Sequence, residues 1–330
     1  MLTLGIETSC DETAAAILED DKKILSSIIS SSIAKQKPFG GVVPEIASRH
    51  HLENIDIVVE AALKEAGKSL RDLDLVAVTQ GPGLIGALLV GTSFAKTLAY
   101  SLRKPVIGVN HLEAHLEANF IDSEVPKDGY IGLVVSGGHT CLVLFREGIF
   151  KIIGQTRDDA AGEAFDKVAK ILGLGYPGGP EIDRLAKSGN PKIKFQCGQM
   201  PGTFDFSFSG IKTAVLYYTQ KNPNFKRELA DIAASFQRAV VKSLVEKTLR
   251  ASEDFGMSAI VVGGGVAANS ELRATLADES KKQGYQLLLS PLRYSVDNAA
   301  MIARAGYLMH KQGRRDGWSL TGKADLAIGG

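Results

Sequence analysis

The chain has 330 residues, 45% of them apolar, with 38 basic and 37 acidic side chains and a net charge of +1. Length predicts two lobes, since single cores stop growing near about 250–300 residues, and the even charge excludes a uniformly basic surface. A nucleic-acid contact then has to come from a local patch or from partner proteins, because phosphate neutralisation supplies most such affinity. The three cysteines, Cys10, Cys141 and Cys197, form no CxxC pair, which argues against a disulfide framework and for a reducing compartment.

The N-terminus lacks the basic segment and apolar run of a signal peptide. Leu2–Ile6 reads as a strand and 14–18 as its return partner across a polar turn, Thr8 to Thr13. A strand at 75–79 leads through Gly81-Pro82-Gly83 into a helix ending near Leu102. The stretch 83–102 is the most apolar in the chain, but Thr92, Ser93, Lys96 and three glycines make it a buried helix rather than a membrane span. The expectation is a soluble, cytoplasmic protein with no membrane association. His111 and His115, two of only six histidines, stand at i and i+4, which puts both imidazoles on one helix face within reach of a shared cation. A His pair on an ordinary amphipathic helix has the same spacing, and spacing alone does not choose a third ligand. Asp297, at the start of a helical run, is one candidate.

A zincin-type metalloprotease needs Glu directly after the first His as general base. Leu112 stands there, and Glu113 lies about 200° around the helix from His111. Further along, strands at 131–135 and 141–145 flank Ser136-Gly137-Gly138-His139-Thr140, repeating the plan of the first hairpin and hinting at a duplication. Helical spacing runs from Asp158 to Ala169 and is followed by a glycine-rich loop, 173–180, with a helix expected from Glu181 after Pro180. A strand at 259–262 leads through Gly263-Gly264-Gly265 to Asn269 and a helix from Ser270. Glycines between a strand and a helix N-terminus let backbone N–H groups face an anion, although they also simply permit tight turns.

Nine segments, in order, resemble the TsaD family of bacterial tRNA N6-adenosine threonylcarbamoyltransferases. They are 5–13 (GIETSCDET), 39–45 (FGGVVPE), 81–88 (GPGLIGAL), 110–115 (NHLEAH), 135–140 (VSGGHT), 161–167 (AGEAFDK), 175–180 (GYPGGP), 206–213 (FSFSGIKT) and 263–269 (GGGVAAN). The resemblance implies an α/β chain with the two-lobed actin-like ATPase fold of the acetate and sugar kinase/Hsp70/actin superfamily. It would comprise an N-terminal lobe of 1–109 plus about 294–330 and a C-terminal lobe of 110–293, with the ligand and metal site in the cleft between them. It implies one divalent ion, iron(2+) or zinc, on His111, His115 and Asp297. It also implies a nucleotide-type substrate on Val134, Val135, Ser136, Gly137, Gly138, Asp166, Gly179, Asp183 and Asn269. Singly, each aspartate is equally well explained as a cap or a surface ion pair.

The activity implied is transfer of threonylcarbamoyl from threonylcarbamoyl-AMP to N6 of adenosine-37 in tRNAs reading A-starting codons, with release of AMP. The implied partners are tRNA, a TsaB-type paralogue and a TsaE-type ATPase. Two other classes share the fold: a kinase or ATPase, and a nonenzymatic partner subunit, the latter disfavoured because such paralogues lack the His pair. The chain departs from the family pattern before Asp297, where Tyr294-Ser295-Val296 replaces a more usual Cys-Thr. The tail after Met309 matches no motif. Lys35, Lys37, Arg49, Arg314 and Arg315 are the candidate RNA patch.

Overall fold

The structure, a computed structural model, describes residues 1–329. Its strands are β1 (Leu2–Glu7), β2 (Glu12–Glu19), β3 (Lys23–Ser31), β4 (Leu75–Gly81), β5 (Val106–Asn110), β6 (Tyr130–Val135), β7 (Thr140–Arg146), β8 (Ile149–Gln155), β9 (Ala259–Gly263) and β10 (Gln286–Leu289). The α-helices are α1 (Ile33–Gln36), α2 (Pro44–Ala66), α3 (Ile85–Leu102), α4 (His111–Glu117), α5 (Ala161–Leu172), α6 (Gly178–Ala186), α7 (Ser209–Lys221), α8 (Leu229–Phe255), α9 (Ser270–Gln283), α10 (Leu292–Ser295) and α11 (Ala299–Lys311).

The chain folds into two compact units, Met1–Glu124 with Val296–Gly330, and Val125–Ser295. The first runs past the expected boundary at 109, because α4 leaves β5 and packs against α11. His111, His115 and Asp297 therefore belong to one unit.

In the first unit the sheet order is β3-β2-β1-β4-β5. β1 pairs antiparallel with β2, and β2 with β3, while β1, β4 and β5 are parallel. Side chains alternate across a strand, and β1 uses both faces. Leu4 and Ile6 join Val76 and Val78 in a core with Ile55, Val58 and Val59 of α2 and Ala95 and Ala99 of α3. Thr3, Gly5 and Glu7 take the opposite face, where α11 lies. A Cβ at Gly5 would strike the Ala299 carbonyl and come within 2.7 Å of Ala303 N, and one at Gly306 would strike Ala77. These small residues let α11 lie directly on β1 and β4.

By length and composition α3 could cross a membrane, yet only a third of it is buried. The buried helix expected is buried along one face only. Its small residues Ala87, Gly91, Ala95 and Ala99 face inward, and Ile85, Leu89 and Tyr100 are exposed.

In the second unit the order is β10-β9-β6-β7-β8. Strand for strand this repeats the first sheet: an antiparallel meander (β6, β7, β8) with two parallel strands (β9, β10) added beside its first member. Ile131, Leu133 and Val135 of β6 meet Ile260 and Val262 of β9 and a helical layer including Phe165, Ile182 and Phe236. The expected hairpins are present, each lengthened by a third strand. α6 starts at Gly178, three residues before the expected Glu181, so Pro180 lies inside its first turn. Helical N–H groups there have no intrahelical partner, so a proline costs no hydrogen bond.

Candidate functional site

β5 ends where α4 begins, and Asn110 makes the junction. Its side chain accepts from Leu112 N at 3.0 Å and Glu113 N at 3.3 Å, and its amide donates to Ala327 O. The cap fixes the first turn of α4 and points His111 and His115 the same way, with ring centroids 4.6 Å apart. Asp297 sits just before α11, which is capped by Asn298 accepting from Met301 N.

Both imidazoles converge on one oxygen: Asp297 Oδ1 lies 3.1 Å from His115 Nε2 and 3.5 Å from His111 Nε2. Burial opposes ionisation of Asp297, but His111 and His115 outweigh it and hold the carboxyl far below the usual range. Burial likewise works against a charged His111, and the carboxylates of Glu7 and Asp297 reverse that and raise its pKa well above the usual value. His115 is lowered by burial and by its neighbour His111.

The three side chains fit a divalent cation. Their ligand atoms lie within 4.8 Å of one another. Two imidazole nitrogens share a single carboxylate oxygen, and His115 Nδ1 is buried without a hydrogen-bond partner among the described residues. Two histidines and one carboxylate suit zinc or non-haem iron and leave coordination positions free. Asp11, in the β1–β2 turn, and Glu12, the first residue of β2, also bring carboxylate oxygens within 4.8 Å of Asp297. Burial and Asp11 push Glu12 up to about 10.

Glu7, Thr79 and His51 complete the surroundings, and sequence reading gave none of them a role. Glu7 is wholly buried. Its Oε2 lies 2.9 Å from His111 Nδ1 and accepts from the Thr79 hydroxyl at 2.6 Å, while its Oε1 accepts from Ser9 N. A charged residue closing an apolar strand was the available signal. His51, on α2, pins the β1–β2 turn through Thr13 and the Cys10 carbonyl.

The expected nucleotide residues all lie in the second unit and form one contiguous region. The β6–β7 turn is closed by Ser136 N donating to His139 O and His139 N donating to Ser136 Oγ. At its tip, Gly137 and Gly138 are exposed, and their N–H groups make no hydrogen bond among the described residues. Gly162 N donates to Ser136 O, which seats the start of α5 against this turn. Gly264, at φ +97°, packs on the Val135 carbonyl so closely that a side chain would collide with it. Asp166 Oδ1 then accepts from Gly178 N at 2.7 Å, tying α5 to α6, and Asp183 Oδ1 accepts from Ser270 Oγ at 2.7 Å, tying α6 to α9. Asn269 caps α9 through Leu272 N and donates to Gln237.

Asp166, Asp183 and Asn269 thus hold the loops together. The glycines differ from them. A Cβ at Gly137, Gly138, Gly179 or Gly265 would meet nothing within 4 Å, and none of the four has a left-handed φ. The fold itself does not require glycine at these four positions.

Three of the five cations in the candidate RNA patch are locally neutralised: Lys35 by Glu53, Arg49 by Glu45 and Arg314 by Asp316. Arg315 donates to the carbonyls of His310 and Arg314.

Comparison with known proteins adds the family. Residues 23–304 match the family described as "TsaD: tRNA N6-adenosine threonylcarbamoyltransferase". A protein of that name from Dictyoglomus turgidum is 52% identical over 332 residues, covering 100% of this chain and 99% of the relative. Another, from Thermosipho africanus, is 54% identical over 331 residues, covering 99% of this chain and 100% of its own. Among solved structures, full-length HypF is similar with a TM-score of 0.62 and 16% identity, covering 96% of this chain and 47% of that one. Component A of the Acidaminococcus fermentans (R)-2-hydroxyglutaryl-CoA dehydratase gives 0.56 at 16% identity, covering 95% and 100%. At that identity the likeness concerns the fold alone, which is the actin-like ATPase fold.

Proposed function

The chain belongs to the TsaD family, and we propose that it transfers the threonylcarbamoyl group of threonylcarbamoyl-AMP to N6 of adenosine-37 in tRNAs reading A-starting codons. It is a transferase of tRNA modification; full-length identity above one half to proteins of that name carries this conclusion. The N6 amine attacks the carbamoyl carbon, the bond from that carbon to the phosphate oxygen breaks, AMP departs and the amine loses one proton. Because the acyl-adenylate is already activated, positioning and electrostatics contribute more than a strong base.

The turns at Gly137-Gly138 and Gly265 offer backbone N–H groups to the adenylate phosphate, and Val134, Val135 and Ser136 carry the first of these turns. Asp166, Gly179, Asp183 and Asn269 shape the rest of that site. His111, His115 and Asp297 would hold one divalent ion, iron(2+) or zinc. When bound, such an ion supplies Lewis acidity toward a carbonyl or carboxylate oxygen. Asn110 and Asn298, by capping their helices, keep the three ligands directed at one point. The protein works in the cytoplasm with TsaB-type and TsaE-type partners, in keeping with its balanced charge.

Mass spectrometry of tRNA nucleosides after incubation with threonylcarbamoyl-AMP and partner proteins tests the activity. Threonylcarbamoyladenosine is the expected product. Release of ADP from ATP by the isolated chain, with tRNA left unmodified in the full assay, would replace this function with that of an ATPase.

A further inference from the structure

We infer that Glu7 is the positioning residue of the metal centre, fixing His111 in the tautomer whose Nε2 lone pair is free for a cation. The inference rests on the proposal above that His111 is a metal ligand. An ionised carboxylate only accepts hydrogen bonds. With Glu7 Oε2 2.9 Å from His111 Nδ1, the Nδ1 proton is held by Glu7, and Nε2, 3.5 Å from Asp297 Oδ1, is the nitrogen left to give up its proton and offer a lone pair to a cation.

Glu7 has no freedom to move. It is wholly buried, Thr79 Oγ1 donates to the same oxygen at 2.6 Å, and Ser9 N donates to the other. These contacts fasten the carboxylate, carried by the last residue of β1, to β4 and to the turn after β1. Its aim follows from strand parity: Glu7 shares the face of Gly5, against which α11 packs, and Asp297 immediately precedes that helix.

His115 has no equivalent, since its Nδ1 has no hydrogen-bond partner among the described residues. His111 is therefore the preset ligand of the pair. Carboxylates that orient a ligating histidine typically contribute 10–100-fold to metal affinity.

The test uses the full chain stripped of metal by a chelator. Zinc affinity is measured by competition with a chromophoric chelator, cobalt(II) spectra report ligand geometry, and thermal unfolding of the metal-free protein reports the fold. Glu7→Gln can turn its amide N–H toward His111, forcing the proton onto Nε2. We expect it to weaken zinc binding 10–100-fold and shift the cobalt bands, measured at a temperature where the metal-free variant is folded.

Wild-type zinc affinity and cobalt bands in folded Glu7→Gln would overturn the role of Glu7. If Glu7→Gln does not fold, Thr79→Val removes one clamp on the carboxylate and leaves its charge and His111 in place. It is expected to weaken zinc about fivefold, and unchanged affinity would overturn the inference equally. Failure of the underlying metal reading shows differently: wild-type protein would take up no zinc, or His111→Ala would bind it as tightly as wild type.

Discussion

His51 shows how one buried side chain can set a pH response. Its Nε2 lies 3.0 Å from the Cys10 carbonyl, which only accepts, so this nitrogen carries the proton. Nδ1, 2.8 Å from Thr13 Oγ1, then accepts from the hydroxyl, and the ring is neutral. Burial depresses its pKa, partly offset by the bond to Cys10. The unfolded chain takes up a proton near pH 6.5 that the folded chain resists, so this contribution is complete above 6.5 and is lost as pH falls. The loss is at most about 1.4 kcal/mol per pH unit. Denaturation of wild type and His51→Gln between pH 8 and 5.5 should show the stability gap between them narrowing on acidification. A constant gap would mean that His51 titrates normally in the fold.

Helices and strands in this protein approach each other through glycines that serve two different purposes. At Gly5 an added Cβ meets the backbone of α11, which cannot step aside. At Gly138 it meets open space. Gly5→Val should therefore destabilise the protein by about 3 kcal/mol or more and, by displacing α11 and Asp297, lower metal occupancy. Gly138→Val should leave stability within about 0.5 kcal/mol of wild type. It should nonetheless weaken AMP binding more than tenfold, about 1.4 kcal/mol, because the new side chain occupies the phosphate approach. Urea denaturation and calorimetric titration of both variants check this. A Gly138→Val protein that binds AMP normally would remove the turn from the proposed site.

The whole molecule carries almost no net charge, and its substrate is a polyanion. The structure weakens the candidate patch further, since Lys35, Arg49 and Arg314 already face carboxylates. Exposed ion pairs of this kind contribute about 0–1 kcal/mol and exchange readily, so they reduce phosphate binding without adding much stability. We expect the isolated chain to bind tRNA weakly, with a log–log salt slope near that of one or two phosphate contacts, about −0.7 to −0.9 each. Adding the proposed TsaB-type and TsaE-type partners should steepen the slope. Filter binding across a salt series decides the matter, and tight, steeply salt-dependent binding by the chain alone would show that its own surface is sufficient.

Much of this organisation was legible in the chain. Local patterns determined the first two strands of each unit, the long helix after Gly83 and the i, i+4 pairing of His111 with His115, because periodicity and turn chemistry act over a few residues. The family resemblance added the expected roles of Asp297 and of the glycine turns. Tertiary structure alone decided the rest. The spacing of residues 111, 115 and 297 does not show that α11 returns from the far end of the chain to lie on β1, a placement that depends on Gly5 and Gly306 meeting other backbones. The position of Glu7 behind His111 follows from the parity of β1 and its parallel register with β4, not from any motif spacing. The same holds for the domain boundary, which moved from 109 to Glu124 because α4 packs on a helix nearly two hundred residues away. Short-range preferences are written residue by residue, whereas a site built from distant segments exists only once burial has chosen which faces meet.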